Sequence, residues 1–155
     1  MTSPDPWDID EGITDPVRFF ALLPRLFPGA TLFFAEGNSI NSAAERCYAT
    51  FASPGPYIPK RQTIFPKSRL FRCTAASGLF QALSTLAERS ASPELLDHLA
   101  LYQGDRAVLV WHDAFANAVL LDSTVPEETV DALANAFDRP YGRAVFRSAP
   151  WWRFW

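Results

Sequence analysis

The feature that most constrains the fold is a change of hydrophobic period near residue 99. Three short apolar runs follow one another there, at Leu99–Tyr102, Arg106–His112 and Ala118–Asp122, with polar turns between them. Runs of this length with short connections are typical of hairpin-linked strands. We therefore expect a three-stranded antiparallel meander over about residues 99–122. Its middle run is apolar at nearly every position, which indicates that both of its faces are buried.

Helical periodicity surrounds this meander. Apolar residues recur every three or four positions over 77–89 and again before Phe137, the second stretch following capping-box spacing at Thr124 and Glu127. In chain order the predicted elements are a helix from Asp15-Pro16 to about Phe27, a strand at 30–35, a helix from Ser42, a strand at 68–74, helices at 77–89 and 92–98, the meander, a helix at 124–137 and an edge strand at 141–146. This mixture predicts an α+β fold over residues 1–155, a single domain in which further strands extend the meander and helices pack on the sheet.

Three segments fall outside these elements. Residues 1–14 are acidic, and we expect them to form a loosely ordered leader. Residues 53–66 contain four prolines, which remove backbone donors and restrict the residues before them, so a long exposed loop is expected. Residues 150–155 form an aromatic tail, WWRFW after Pro150. Its four large rings are costly to leave in water, so the tail either docks across the chain's own sheet or enters a groove on a partner.

The sequence shows no sign of a membrane span or of export. Its longest apolar runs are far shorter than the roughly 20 residues that a membrane-spanning helix requires. Met1–Glu11 contains four acidic residues and no basic residue, whereas a secretory signal has a basic start and an apolar middle. We therefore expect a cytoplasmic protein.

Two cysteines, Cys47 and Cys73, lie 26 positions apart without CxxC spacing. In a reducing compartment such residues are typically small, buried, apolar groups. Arg46 and Arg72 adjoin them in sequence, and a basic neighbour can lower the pKa of a thiol. A reactive thiol therefore stays open as an alternative.

The histidines and acids do not complete a recognisable metal or catalytic motif. Structural zinc sites take their ligands in close pairs, whereas gaps of 25 and 14 residues separate Cys73, His98 and His112. We therefore predict no metal and no cofactor, and we expect His98 to end its helix. Glu36, His112 and Asp113 are candidate catalytic residues because each follows an apolar run at a strand end. We expect Glu36 to be solvent-exposed and Asp113 to stabilise a turn.

Charge is segregated along the chain, although the net charge is only −3. Residues 46–87 carry six basic and no acidic side chains, whereas residues 88–138 carry ten acidic and two basic ones. Either these blocks neutralise each other in the fold, or one face stays basic and steers a charged partner. The candidate partner-binding residues come from the basic block and the tail, and are Lys60, Arg61, Arg69, Arg72, Trp151, Trp152 and Trp155.

Function is inferred mainly by elimination. The chain lacks GxSxG, GxxxxGK[ST] and GxGxxG patterns, so neither a serine hydrolase nor a nucleotide-binding loop is indicated. We expect a bacterial-type, non-enzymatic accessory or immunity-type protein that binds another protein, or a second copy of itself, through its surface. One alternative is a small hydrolase or transferase with its site near Glu36 and the loop from His112 to Asn117. A weaker one is nucleic-acid binding through the basic block at 46–72, which the acidic pI of about 5.3 disfavours.

Overall fold

Seven strands pair into one antiparallel sheet within residues 4–144, the part of the chain that the computed structural model describes. In chain order the elements of this part are β1 (Trp7–Ile9), α1 (Pro16–Leu26), β2 (Leu32–Gly37), α2 (Ser42–Thr50), β3 (Arg69–Thr74), α3 (Ser77–Ala87), α4 (Ser92–Leu95), β4 (His98–Gln103), β5 (Arg106–Trp111), β6 (Val119–Leu121), α5 (Glu127–Ala136) and β7 (Tyr141–Arg143). The sheet order is β3-β2-β4-β5-β6-β1-β7. Helices and an antiparallel sheet together confirm the predicted α+β class.

The main core lies between one face of the sheet and the helices. All five helices of residues 4–144 contribute buried side chains to it, against strand residues such as Phe33, Leu101 and Trp111. A second, smaller cluster lies on the opposite face of β2, β4 and β5, and its buried members include Phe34 and Val110. The expectation that the apolar run of β5 is buried on both faces is confirmed.

The order of the strands places β2 beside both β3 and β4. Both pairs are antiparallel, and β4, β5 and β6 follow one another across the sheet. Residues 53–68, here named the covering loop, connect α2 to β3 without a regular helix or strand. Tyr57 of this loop packs edge-on against Phe34, so the covering loop lies over the face that carries no helix.

The N-terminal segment is more ordered than predicted. Residues 7–9 form β1, which inserts between β6 and β7, because Trp7 and Ile9 bury their side chains while the backbone joins both neighbours. The expected loose leader is therefore wrong for these residues. Three parts of the prediction lie outside the described residues: residues 1–3 of the leader, the end of the predicted edge strand and the aromatic tail.

The N-terminal caps of two helices differ from the sequence pattern, although α2 begins at Ser42 as predicted. Asn41, not Ser42, caps α2, because its side-chain oxygen accepts the N–H of Ala44 at 2.9 Å. Thr124 precedes α5 in a turn, where its hydroxyl and N–H both donate to Asp122. The capping box predicted at Thr124 and Glu127 is therefore wrong, since α5 begins at Glu127 after Pro126 without a side-chain cap.

The helix predicted at 92–98 is shorter in the structure, since α4 ends at Leu95. Leu96 is extended, and the N–H of Asp97 donates to the Glu36 carbonyl at 2.8 Å. Hydrogen bonding to β2 therefore ends the helix at Leu95. None of the helices in residues 4–144 is long and apolar enough to cross a membrane.

Candidate functional site

A row of three polar side chains crosses the sheet beneath the covering loop. Glu36 on β2 is in register with His98 on β4. In the antiparallel pair of β4 and β5, Ala100 is in register with Val110. His98 lies two residues before Ala100 and His112 two residues after Val110, so the two histidines are level with each other. The two imidazole rings are 5.7 Å apart. The sequence prediction did not include His98 in the site, because it assigned that residue to a helix end.

Glu36 anchors the covering loop. Its side chain is fully buried, which corrects the expectation that it is exposed. The carboxylate accepts hydrogen bonds from the N–H of Gln62 at 3.0 Å, the N–H of Thr63 at 2.9 Å and the hydroxyl of Ser68 at 2.6 Å. A buried carboxylate is tolerated only when such donors replace water. Glu36 therefore ties both ends of the segment at 62–68 to the sheet.

His98 joins the covering loop to the turn after β5. Its Nδ1 accepts the N–H of Asp113 at 3.0 Å, and its Nε2 lies 3.4 Å from the Thr63 hydroxyl. Since Nδ1 accepts, the proton of the neutral ring is assigned to Nε2. The Asp113 carboxylate lies 3.8 Å from Nδ1 and is itself well exposed. Asp113 thus borders the row from the solvent side.

His112 is neutral at physiological pH. Its pKa is lowered to about 4, chiefly by burial and next by the neighbouring His98, and the opposing effects of Asp113 and Glu36 are smaller. A neutral imidazole can accept or donate one hydrogen bond at each nitrogen without bringing a charge under the loop. His112 therefore adds polarity to the row but no positive charge.

The turn after β5 has the stabilising contacts that the sequence indicated. The Asn117 amide donates to the Asp113 carboxylate at 3.2 Å. Asp113 and Phe115 have positive φ angles of 43° and 69°, a conformation that is uncommon for residues other than glycine. The Trp111 indole N–H donates to the Asn117 carbonyl at 2.8 Å, so the core holds this turn in place.

Glu36, His98 and His112 line one pocket together with Tyr57 and Lys60. The candidate catalytic residues Glu36 and His112 therefore do meet, while Asp113 stays at the edge. The space available to the centre of a water molecule is only about 10 Å³, which corresponds to about one water. Both oxygens of Glu36 already accept hydrogen bonds from the covering loop. As it stands, this arrangement suits holding a loop better than binding a substrate.

The outer side of the covering loop is apolar at its tip. Ile64 and Phe65 are 87% and 91% exposed, and Ile58 is 49% exposed. These three are the only large apolar side chains that residues 4–144 expose. Sequence reasoning did not select Ile64 or Phe65. The available signal was an apolar pair inside a proline-rich stretch, where no strand can bury it.

The cations of the basic block divide into two groups. Arg69 pairs with Glu45 at 2.8 Å, and Arg72 donates to the Pro56 carbonyl at 3.1 Å, so both contact their own chain. Lys60 and Lys67 are exposed on the covering loop, and no acidic side chain of residues 4–144 forms an ion pair with either of them or with Arg61. The other candidate partner-binding residues, Trp151, Trp152 and Trp155, lie outside the described residues.

The cysteines are free thiols that lie away from this pocket. Cys73 is fully buried, and burial raises its pKa to about 12, with a further contribution from Cys47. Cys47 is half-buried, and burial raises its pKa as well. The sequence expectation of a small buried apolar group is confirmed for Cys73. Within residues 4–144, no three His, Cys, Asp or Glu side chains are grouped so that they could hold a metal ion.

No family model, curated protein sequence or solved structure matches this chain. Only the chemistry of the covering loop and of the row beneath it therefore bears on function.

Proposed function

We propose that this chain is a non-enzymatic accessory or immunity-type protein that binds another protein through the covering loop. The observation that carries the proposal is the near-complete exposure of Ile64 and Phe65 on a loop that buried Glu36 anchors. Fully burying one such side chain contributes about 1.5–3 kcal/mol. The free chain forgoes this free energy at both positions, and a partner that covers them recovers it.

The anchoring of the loop supports the same function. A segment that orders only on binding loses conformational entropy, which weakens the complex. Here the hydrogen bonds from Gln62, Thr63 and Ser68 to Glu36 hold the segment next to the tip before any partner arrives. Large apolar anchors on a preorganised backbone are typical of the residues that dominate protein interfaces.

The test is affinity purification of the tagged chain from the cells that produce it, comparing wild type with the double variant I64S/F65S. A matched control, Q81S/T85S, changes two exposed residues of α3. We expect a stoichiometric partner that wild type and the control retain and that the tip variant loses at least about tenfold. Equal recovery with all three proteins, or no partner at all, contradicts the proposal.

A second candidate function is a small hydrolase or transferase. It is favoured by one observation, the shared pocket of Glu36, His98 and His112. For Glu36 to act as a general base, at least one of its oxygens must leave its loop donor and reach a substrate. Hydrolysis of generic ester and phosphoester substrates that H112Q abolishes, with the variant still folded, would support this candidate over the first.

A further inference from the structure

We infer that the surface receiving the covering loop is an apolar pocket rimmed by acidic side chains, on a protein different from this one. The inference rests on the proposed function and names the chemistry of its partner. Ile64 and Phe65 are adjacent and almost fully exposed, so they can enter a pocket together. Only an apolar pocket gains the free energy of burying them, because neither side chain can form a hydrogen bond.

The cations around the tip define the rim of that pocket. Lys60, Arg61 and Lys67 lie within seven residues of the tip, and the loop carries no acidic residue. Glu36 lies beneath them, but its carboxylate is fully buried and accepts hydrogen bonds from the loop itself. The exposed carboxylate of Asp113 lies nearby, beyond His98, but the three cations outnumber it, so the loop presents positive charge around its tip. A partner with acidic side chains around its pocket therefore associates faster and more selectively.

A second copy of this chain fits less well within residues 4–144, because its open pocket between α2 and α3, of about 580 Å³, is lined by Arg46 and by no acidic side chain. The large apolar side chains exposed there all belong to the covering loop. Contact between two loops would bury Ile64 and Phe65 against their own copies, but it would also bring Lys60 and Lys67 of both chains together. Like charges at an interface oppose association, so the apolar tip and its rim fit a different protein.

Extended polyanions fit less well than a protein. The tip provides one aromatic ring, Phe65, for stacking on a base, and Ile64 provides none. The chain carries a net charge of −3, with ten acidic residues in 88–138. These acidic residues would repel an extended nucleic acid or anionic bilayer that reaches beyond the loop. A pocket rimmed by a few acids contacts only the loop.

The experiment replaces Phe65 by the photoreactive residue p-benzoylphenylalanine in the full chain, followed by irradiation in the producing cell and mass spectrometry of the cross-linked product. The substituted side chain is exposed, so the fold tolerates it. We expect one cross-linked protein whose labelled peptide contains apolar residues flanked by Asp or Glu. A labelled peptide without neighbouring acids overturns the inference and leaves the proposed function in place, whereas one from a second copy of this chain overturns both. Cross-links only to lipid or nucleic acid, or none at all, overturn both.

The acidic rim has an independent test with the cross-linked protein once it is purified. We expect K60E/K67E to weaken its binding at least about tenfold and to remove most of the salt dependence, while K60Q/K67Q weakens it less. The control T85K adds a cation at an exposed position on α3 and should leave binding unchanged. Equal affinity of wild type and K60E/K67E contradicts an acidic rim even if the tip is confirmed as the contact.

Discussion

The two faces of the sheet are covered in different ways. Five helices of residues 4–144 cover one face, where Trp111 packs against the rings of both Phe19 and Phe115 at centroid distances of 4.9 and 4.6 Å. On the other face the covering loop lies over β2 and β4, and a carboxylate holds it through three hydrogen bonds. The first face is stabilised by buried apolar surface, whereas on the second face a few hydrogen bonds hold the covering loop in position. The loop can therefore vary its outer residues without disturbing the main core.

The largest expected effect comes from the helix-covered face. Trp111→Ala removes a fully buried ring and leaves a cavity, which we expect to lower the free energy of unfolding by about 3–5 kcal/mol. Urea titration followed by circular dichroism measures this. The matched change on the other face, Val110→Ala, removes two methyl groups and should cost about 1–2 kcal/mol. Similar losses for the two variants would mean that the faces do not differ in this way.

Glu36→Gln tests the anchoring of the covering loop. An amide has one acceptor oxygen, so its NH₂ group would face a loop donor, and we expect a loss of about 1–3 kcal/mol in the free energy of unfolding. Trypsin should also cleave faster after Lys60, Arg61 or Lys67, because the loop opens more often. The control Ser68→Ala removes one of the three hydrogen bonds and should show a smaller change. Unchanged cleavage and stability in Glu36→Gln would show that the carboxylate does not hold the loop.

Acidification should weaken the loop-covered face through His112. Its pKa is about 4 in the folded chain against an ordinary value of 6.5, so between these values the unfolded state binds a proton that the folded state does not. Stability contributed by the neutral ring is therefore present above pH 6.5 and is lost as the pH falls toward 4. With allowance for solvent screening, we expect about 1–2 kcal/mol.

The measurement compares unfolding free energies of wild type and His112→Gln at pH 7 and pH 5. The loss between the two pH values should be larger in wild type, because Gln does not titrate. An identical loss in both proteins would assign the pH dependence to other groups.

The smallest effect on stability is expected at the tip. Ile64→Ser together with Phe65→Ser changes side chains that are mostly in water, so the free energy of unfolding should stay within about 0.5 kcal/mol of wild type. Thermal unfolding of the same variant used in the binding experiment checks this. A larger loss would mean that the tip packs against its own chain, which would weaken the case for a partner.

Local periodicity was sufficient to predict most of the fold. The helix at 77–89 has a strong apolar pattern, and residues 68–74 alternate well enough for a strand; the structure has both near the expected residues. Residues 7–9 were missed because a three-residue strand has too few positions for a pattern, and its pairing with β6 and β7 depends on residues more than 100 positions away. Long-range pairing of this kind leaves no local signal.

The site was only partly predictable for the same reason. Glu36 and His112 were selected because each follows an apolar strand. His98 was misassigned, since Ser92-Pro93-Glu94 starts a helix convincingly and only the pairing of β4 with β2 ends it early. The burial of Glu36 depends on donors from the covering loop, 26 to 32 positions further along the chain.

The position of β1 also has a consequence for folding during synthesis. This strand leaves the ribosome before its two neighbours, β6 and β7, which are made more than 100 residues later. Until residue 143 has been translated, the edge of β1 that pairs with β7 has no partner strand. A chain released early, before Tyr141, would display an unpaired backbone edge to chaperones and proteases.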